Sequence, residues 1–326
     1  MLKNSKIFSI HSEEDFNQIA IETFLYQYEN VSVYKRFIDS LPIDATRVEH
    51  YSQIPFLPIE FFKTNEIRDQ NFTPKFYFQS SGTTSENLSK HFIINENIYR
   101  ESILKSFSLF LGDPSQYIYL GLLPSYLERE NSSLIYMVNY LMELSNQKEN
   151  GFFLHNFEDL DFLLKKLEKE EKKVILFGVS YALLDFASAF PQNLQNTIII
   201  ETGGMKGRKK EITKDELLKE LQTSFNTDKV YSEYSMTELL SQAYSLGNNS
   251  YQYPPWMKIL IREAEDPFSY VENGKSGGVN IIDLANIHSC SFISTQDLGR
   301  KETENSFRIL GRMDNSDIRG CSLLLL

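Results

Sequence analysis

The chain has 326 residues, of which 44 are acidic and 33 basic, giving a net charge of −11. With 41% hydrophobic residues it has the composition of a globular protein with one large or two ordinary domains. The acidic surplus argues against a general nucleic-acid-binding protein, which needs a dense basic face. With only two cysteines, no disulfide framework is expected, and a reducing cytoplasm is the expected location. No signal peptide or membrane-spanning run is expected.

The N-terminal part is predicted to be helical. Residues 12–40 carry apolar side chains at helical spacing, and Ser12 can cap this helix with Asp15 in its first turn. Three prolines (Pro42, Pro55 and Pro58) then interrupt the pattern, so the segment 54–59 is expected to be irregular. Residues 1–74 are therefore assigned to a helical segment that packs on the core.

A hydroxyl-rich loop follows an aromatic, strand-like run at 75–78. It reads Ser80-Ser81-Gly82-Thr83-Thr84-Ser85. Its N–H and O–H donors suit an anion, and the glycine permits close approach of the backbone. The loop lacks the lysine and the spacing of a Walker A motif. Because serine- and glycine-rich segments are commonly ordinary turns, this loop predicts a polyphosphate site only together with further motifs.

Residues 75–249 show the alternation of an α/β core. After a strand at 91–94, Asn95 caps a helix that ends at Gly112. A capping box at Thr213 opens another helix over 214–224. Buried strands are predicted at 118–120, 174–177, 197–200 and 229–231. Helices are predicted between them at 134–144, 160–167 and 181–190. This alternation predicts a mainly parallel sheet flanked by helices.

From residue 250 the pattern becomes β-rich. Strands are predicted at 256–261, 278–284 and 291–294, with a turn at Asn273-Gly274. Residues 250–326 are therefore assigned to a smaller β-rich subdomain that ends in a hinge-like tail.

Polar residues follow several strands, at the end of the sheet where α/β proteins bind ligands. Thr237 and Glu238 come after the strand at 229–231 and are expected to open onto a helix. Thr237 can donate to a phosphate and Glu238 can hold Mg²⁺. An ordinary helix cap explains the pair equally well.

Three further motifs have both a binding and an ordinary interpretation. Asp297, expected in a turn after a strand, can accept two ribose hydroxyls or form an Asx-turn. Arg312, expected in a glycine-bounded turn, can clamp phosphate or ribose or lie on the surface. Gly203 and Gly204 can admit a flat purine or form a flexible loop.

Taken in order, these motifs resemble those of the adenylate-forming superfamily, which includes acyl- and aryl-CoA ligases and peptide-synthetase adenylation domains. Within it, the segments 123–129 and 316–323 and the pair Ser132-Ser133 resemble the acyl-protein synthetases of the bacterial luciferase fatty acid reductase system. The resemblance covers about residues 75–326. It implies the N-terminal-domain architecture of adenylate-forming enzymes, with the C-terminal lid domain absent.

The resemblance also implies a role for each motif in forming an acyl-adenylate from ATP and a carboxylic acid, which is expected to be a fatty acid. The β- and γ-phosphates would be held by Ser80, Ser81, Gly82, Thr83 and Thr84. Gly203 and Gly204 would lie near the adenine, Asp297 would take the ribose hydroxyls, and Arg312 would contact the ribose or a phosphate. Thr237 would contact the α-phosphate, and Glu238 would bind Mg²⁺.

Two departures from the superfamily pattern affect catalysis. The lid lysine that assists adenylation is expected to be replaced by Lys206 or Lys90, or by a partner. Glu86 stands where a glycine is usual, so Lys90 or His91 is expected to compensate its charge beside the phosphates.

The acyl acceptor is expected to be Cys321, five residues from the end of the sequence, where Arg319 would favour the thiolate. The acyl group would then pass to a reductase-like subunit or an acyl carrier protein. Two alternatives stay open: a ligase that acylates coenzyme A or a carrier directly, and a non-catalytic nucleotide-binding subunit. Cys290 is expected to be structural.

Overall fold

A twelve-stranded sheet organises the part of the chain that the structure, a computed structural model, describes: residues 4–80, 88–124, 131–154, 156–203 and 212–313. The strand order is β11-β12-β13-β14-β10-β9-β8-β7-β6-β4-β5, and β1 pairs with β13 outside this path. β2 and β3 form a separate antiparallel pair. The sheet is therefore continuous across the expected boundary at residue 249. The assignment of three regions stays a prediction.

The parallel half of the sheet confirms the α/β prediction. β4, β5, β6, β7 and β8 pair in parallel. Their bounds are Ile118–Leu122, Gly151–Phe153, Val174–Val179, Thr197–Thr202 and Val230–Tyr234. β4 and β6 are buried along their whole length, as expected for central strands covered by helices on both faces.

The remaining strands of the sheet pair antiparallel, apart from β1, which runs parallel to β13. They are β1 (Leu57–Pro58), β9 (Ala243–Ser245), β10 (Tyr251–Gln252), β11 (Met257–Arg262), β12 (Ser276–Asp283), β13 (Phe292–Thr303) and β14 (Ser306–Arg312). The separate pair consists of β2 (Phe76–Gln79) and β3 (Lys90–Ile93). The β-rich prediction is thus confirmed, although β13 extends nine residues beyond its predicted end at 294.

The described helices follow the predicted caps closely. They are α1 (Asn4–Ile7), α2 (Glu13–Asn30), α3 (Ser32–Asp39), α4 (Phe61–Thr64), α5 (Glu96–Leu111), α6 (Ser133–Ser145), α7 (Phe157–Lys169), α8 (Ser180–Ala189) and α9 (Lys214–Phe225). Asn95 and Gly112 cap α5, and Thr213 forms a capping box with Glu216. Within the described ranges, no helix is long and apolar enough to cross a bilayer.

The predicted helix over 12–40 is divided into α2 and α3 at Val31, whose backbone is extended. α2 packs on the antiparallel half of the sheet through Gln27. Its amide nitrogen donates to the carbonyl oxygens of Asn286 and Ile287 at 3.0 Å, and its oxygen accepts from the Ser291 N–H at 3.0 Å. Buried hydrogen bonds therefore join α2 to the segment between β12 and β13.

We predict that Gly277→Ala lowers the free energy of unfolding by about 1–3 kcal/mol because it overpacks the core. A Cβ at Gly277 in β12 would lie 2.1 Å from the carbonyl oxygen of Arg262, a backbone atom on the neighbouring strand β11. Gly151→Ala is the control, since its Cβ would meet only Phe153, at 4.0 Å. Urea unfolding of both variants tests this, and equal stabilities would contradict it.

Candidate active site

Ser80 and Ser89 close the base of the hydroxyl-rich loop. The N–H of Ser80 donates to the carbonyl oxygen of Ser89 at 3.0 Å, and the N–H of Ser89 donates to Ser80 Oγ at 3.0 Å. These residues follow β2 and precede β3, so the antiparallel strand pair ends directly at the loop. The loop residues Ser81, Gly82, Thr83, Thr84 and Glu86 lie outside the described residues.

The base of this loop is joined to Glu238. The Ser89 side chain lies near the Glu238 carboxylate, and both residues are buried. Burial raises the pKa of Glu238, while the polar groups of Ser89 and of the Glu238 backbone, and the charge of Arg312, oppose the rise. Ser89 at the base of the loop and Glu238, which are about 150 residues apart in the sequence, therefore lie close together.

Thr237 and Glu238 lie in a turn between β8 and β9, so the prediction that a helix follows them is wrong. Residues 237–241, here called the 237–241 turn, lead instead into β9, which pairs antiparallel with β8. Glu238, Leu239, Leu240 and Ser241 are buried. A buried irregular segment cannot use a helical or sheet ladder, so its peptide groups need other partners.

Side chains from a second segment supply those partners. Asp283 Oδ2 accepts from the N–H groups of Leu240 and Ser241 at 2.7 and 3.0 Å. The amide nitrogen of Asn286 donates to the carbonyl oxygens of Glu238 and Cys290 at 2.7 and 2.9 Å. The 237–241 turn is thus held by its N–H groups on one side and by a carbonyl group on the other.

His91 in β3 completes this arrangement. Its Nδ1 lies 2.8 Å from the carbonyl oxygen of Thr237, and its Nε2 lies 2.8 Å from Asn286 Oδ1. Burial lowers the pKa of His91 to about 4, although both hydrogen bonds oppose this. A neutral His91 therefore links the strand that leaves the hydroxyl-rich loop to the 237–241 turn.

Asp297 lies within β13, so its prediction as a turn residue is wrong. β13 continues past residue 294 because it keeps pairing with both β12 and β14. Asp297 Oδ2 accepts from the hydroxyl of Tyr234 at 2.7 Å, and Oδ1 lies 3.6 Å from Arg312 Nε. Burial raises the pKa of Asp297, partly offset by these two partners.

Arg312 is the last residue of β14 rather than a turn residue. It pairs directly with Asp297 across the two strands, which explains their contact. Its side chain is 83% exposed, so the guanidinium has a face free for a ligand. Its charge also opposes the rise in the pKa of Glu238, so Arg312 and its partner Asp297 lie within electrostatic range of that carboxylate.

The other expected site residues have separate positions. Gly203 follows β7 in a left-handed backbone conformation (φ 76°), and its carbonyl oxygen accepts from Ser180 Oγ at 3.3 Å. It lies beside the end of β8, because β7 and β8 are neighbours.

Lys90 is exposed, with Nζ 5.1 Å from the ring centre of Tyr77. Gly204, Lys206 and Cys321 lie outside the described residues. Cys290 is buried and its thiol donates to the Phe292 carbonyl oxygen at 3.3 Å, in agreement with a structural role.

The sequence motifs left several residues of this site unassigned. Tyr234 stands three residues before Thr237, yet only the pairing of the strands reveals that its hydroxyl donates to Asp297. Ser89, Asp283 and Asn286 belong to no motif. His91 and Asn286 are 195 residues apart, so no local pattern signals their contact.

Comparisons with known proteins agree with this geometry. A family model described as acyl-protein synthetase, LuxE, matches residues 5–326. No curated protein sequence matches the chain significantly. Similar solved structures include 2-hydroxyisobutyryl-CoA ligase with 2-HIB-AMP and CoA, with a TM-score of 0.70 and 12% identity over 93% of this chain and 70% of that one.

Two further structures are similar over a smaller part. ATP-bound MatB from Rhodopseudomonas palustris has a TM-score of 0.57 and 13% identity, over 76% of this chain and 49% of that one. O-succinylbenzoate coenzyme A synthetase (MenE) from Bacillus subtilis, with ATP and magnesium, has a TM-score of 0.53 and 18% identity, over 76% of this chain and 52% of that one. The chain thus spans about half the length of these two proteins. At these identities the likeness is one of fold.

We predict that Asn286→Leu lowers the free energy of unfolding by about 2–4 kcal/mol, because it leaves the buried carbonyl groups of Glu238 and Cys290 without their donor. Ser106→Ala is the matched control: Ser106 is also fully buried, but its hydroxyl has no partner among the described residues. Denaturant unfolding measures both. If the two variants lose the same small amount, Asn286 does not hold the turn.

Proposed function

Because the chain belongs to the LuxE acyl-protein synthetase family, a family of acyl-activating ligases, we propose that it forms an acyl-adenylate from ATP and a carboxylic acid and transfers the acyl group to a thiol. Its fold is that of the adenylate-forming ligases. The observation that carries the proposal is the contact of Tyr234 with Asp297, which joins the strand before the 237–241 turn to a carboxylate suited to ribose.

Each end of ATP has a counterpart in this arrangement. Asp297, with Oδ2 on Tyr234 and Oδ1 toward Arg312, would accept the ribose hydroxyls, and Arg312 would donate to the ribose or a phosphate oxygen. Ser80 would begin the contacts to the β- and γ-phosphates, which continue with Ser81, Gly82, Thr83 and Thr84. Gly203 and Gly204 would lie near the adenine.

The donors of this chain carry the adenylation step by position and charge. Thr237 would donate to the α-phosphate, at which the substrate carboxylate attacks and pyrophosphate leaves. His91 and Asn286 fix the backbone carbonyls of Thr237 and Glu238, so the hydroxyl of Thr237 is presented from a rigid turn. Lys206 or Lys90 would supply a further positive charge.

Glu238 fits a magnesium ion that is shared with the substrate. Mg²⁺ prefers one or two carboxylates together with phosphate oxygens and water. In the described part of the chain, no group of three or more His, Cys, Asp or Glu side chains forms an enclosed metal site. A single carboxylate beside the base of the phosphate loop suits an ion held mainly by ATP, and such an ion would neutralise phosphate charge.

We propose Cys321 as the acyl acceptor, with a fatty acid as the acid. The thiolate would attack the carbonyl carbon of the acyl-adenylate, forming a C–S bond while the C–O bond to AMP breaks. The acyl group would then pass to a reductase-like subunit or a carrier protein. Coenzyme A is the second candidate acceptor, favoured by the CoA ligases among the similar structures.

We predict that the protein catalyses carboxylate-dependent exchange of pyrophosphate into ATP, and that Asp297→Asn raises the KM for ATP about tenfold or more, because asparagine cannot accept both ribose hydroxyls. The free energy of unfolding should not fall. Because burial raises the pKa of Asp297, the folded protein loses stability as the pH rises through that pKa. Replacing the carboxylate with a neutral amide removes this loss of stability at neutral pH. Asp266→Asn, at an exposed loop position, is the control. An unchanged KM for ATP would contradict the ribose role.

We predict that incubation with ATP, Mg²⁺ and a labelled fatty acid gives a hydroxylamine-labile label on the protein, and that Cys321→Ser abolishes it while pyrophosphate exchange remains. Cys290→Ser is the matched control, because that thiol is buried and burial raises its pKa to about 12. Undiminished label in Cys321→Ser would exclude self-acylation at this residue. Acyl-CoA formation by Cys321→Ser would favour coenzyme A as the acceptor.

A further inference from the structure

The short helix α4 is fixed to β13, the strand that carries Asp297. The N–H of Ile59, which directly follows β1, donates to the carbonyl oxygen of Ser294 at 3.0 Å. The carboxylate of Glu60 accepts a hydrogen bond from the side-chain amide of Gln296, the residue next to Asp297 in β13. The start of α4 is therefore held beside the residue that would bind the ribose.

The same helix packs against β3. Phe62 is buried, and its ring stands perpendicular to the ring of His91, with the ring centres 6.0 Å apart. Nδ1 of His91 in turn lies 2.8 Å from the carbonyl oxygen of Thr237. The helix therefore contacts both the strand that carries the candidate ribose ligand and the histidine that holds the 237–241 turn.

Lys63 follows Phe62 in α4, and its side chain is exposed. Burial raises the pKa of Glu238, and the positive charges of Arg312 and Lys63 are among the groups that oppose this rise. Water and salt screen the interactions of exposed charges strongly, but they screen those of a buried carboxylate much less. The ammonium group of Lys63 therefore lies within electrostatic range of the carboxylate that would hold Mg²⁺.

Unlike Arg312 and Lys90, Lys63 has no partner of its own in the part of the chain that the structure describes. Arg312 Nε lies 3.6 Å from Asp297 Oδ1, and Lys90 lies over the ring of Tyr77. Within the same described ranges, Lys63 forms neither an ion pair nor a cation–π contact. An exposed lysine is most often a solvated surface charge, but an unpaired cation fixed beside a phosphate-binding site is placed to attract an anion.

The contacts of α4 place Lys63 near the expected position of the α-phosphate. In the proposed site this phosphate lies between the ribose at Asp297 and the other two phosphates at the hydroxyl-rich loop, and Thr237 donates to it. Gln296 and His91, the two contacts of α4, adjoin Asp297 and Thr237 respectively. The flexible four-carbon stem of lysine lets an ammonium group at the surface of α4 turn toward a bound phosphate.

We propose that Lys63 is a further catalytic residue of the adenylation step, and that its ammonium group donates to a non-bridging oxygen of the α-phosphate. This inference rests on the proposed function, and Lys63 would act together with the charge of Lys206 or Lys90. In this step a carboxylate oxygen bonds to the α-phosphorus, the bond from this phosphorus to the bridging oxygen breaks, and pyrophosphate leaves with the electron pair. A cation fixed beside the α-phosphate stabilises the negative charge on its oxygens in the transition state.

Pyrophosphate exchange with a series of carboxylic acids that includes straight-chain fatty acids tests this role. We expect Lys63→Met to lower kcat about 100-fold or more while the KM for ATP changes less, because the contact strengthens in the transition state. Lys63→Arg keeps the charge and should retain part of the rate. An unchanged kcat in Lys63→Met overturns the inference but leaves the proposed function standing. If the unmodified protein catalyses no exchange with any acid, the proposed function itself fails.

Lys172→Met is the matched control. Lys172 is also exposed, but it precedes β6 and so lies at the amino end of the parallel strands, away from the strand ends that carry the site. Its kcat should equal that of the unmodified protein. Because both variants replace an exposed side chain, their midpoints of urea unfolding should also agree. A fall in the midpoint of Lys63→Met that accounts for its loss of activity would assign that loss to folding and overturn the inference.

ATP analogues that carry sulfur in place of one non-bridging α-oxygen locate the contact. Sulfur weakens the hydrogen bond from an ammonium group, so we expect one of the two diastereomers to react more slowly than ATP with the unmodified protein. Lys63→Met should reduce this difference about tenfold or more, because it removes the donor, whereas Lys172→Met should keep it. An unchanged difference in Lys63→Met overturns the contact with the α-phosphate.

Discussion

The candidate site depends on one constraint: the 237–241 turn is buried, yet it has no regular secondary structure. Its buried peptide groups have lost water and cannot pair within a helix or sheet, so apart from the Leu239 N–H, which donates to the Met236 carbonyl oxygen at 3.0 Å, they depend on side chains. Asp283, Asn286 and His91 meet this need from two other parts of the chain. Each of these residues is itself fixed by the core. The 237–241 turn is consequently held at several points by the core, which would suit the proposed reaction because that reaction relies on position.

The same region concentrates buried acids. Burial raises the pKa of Glu233, Glu238, Asp283 and Asp297, and hydrogen bonds offset the rise only in part. Their carboxylates make the folded protein less stable at neutral pH than neutral side chains of similar shape would. Four such carboxylates lower the stability of the folded state, and a cluster of acids with raised pKa values is typical of a functional site.

Local signals in the sequence predicted the elements well. The caps at Asn95, Gly112 and Thr213 place two helices almost to the residue, because a capping bond joins residues only a few positions apart. The order of the motifs predicted the fold family. Strand and helix alternation likewise predicted the parallel half of the sheet.

Features set by distant partners were not predictable in this way. Asp297 resembles a turn residue by its local sequence, and only pairing with two neighbouring strands keeps it in β13. The chain after Thr237 resembles a helix start, but the side chains of Asp283 and Asn286 satisfy its peptide groups instead.

The parallel pairing of β1 with β13 has a further consequence. Glu60 and Gln296, which hydrogen bond beside this pairing, are 236 residues apart. At a synthesis rate of about 5–20 residues per second, the N-terminal segment waits on the order of 10–50 s on the ribosome before its partner strand exists. During that interval the apolar side chains of the segment lack the strand that they pack against, and exposed apolar surface of this kind makes a nascent chain prone to aggregation.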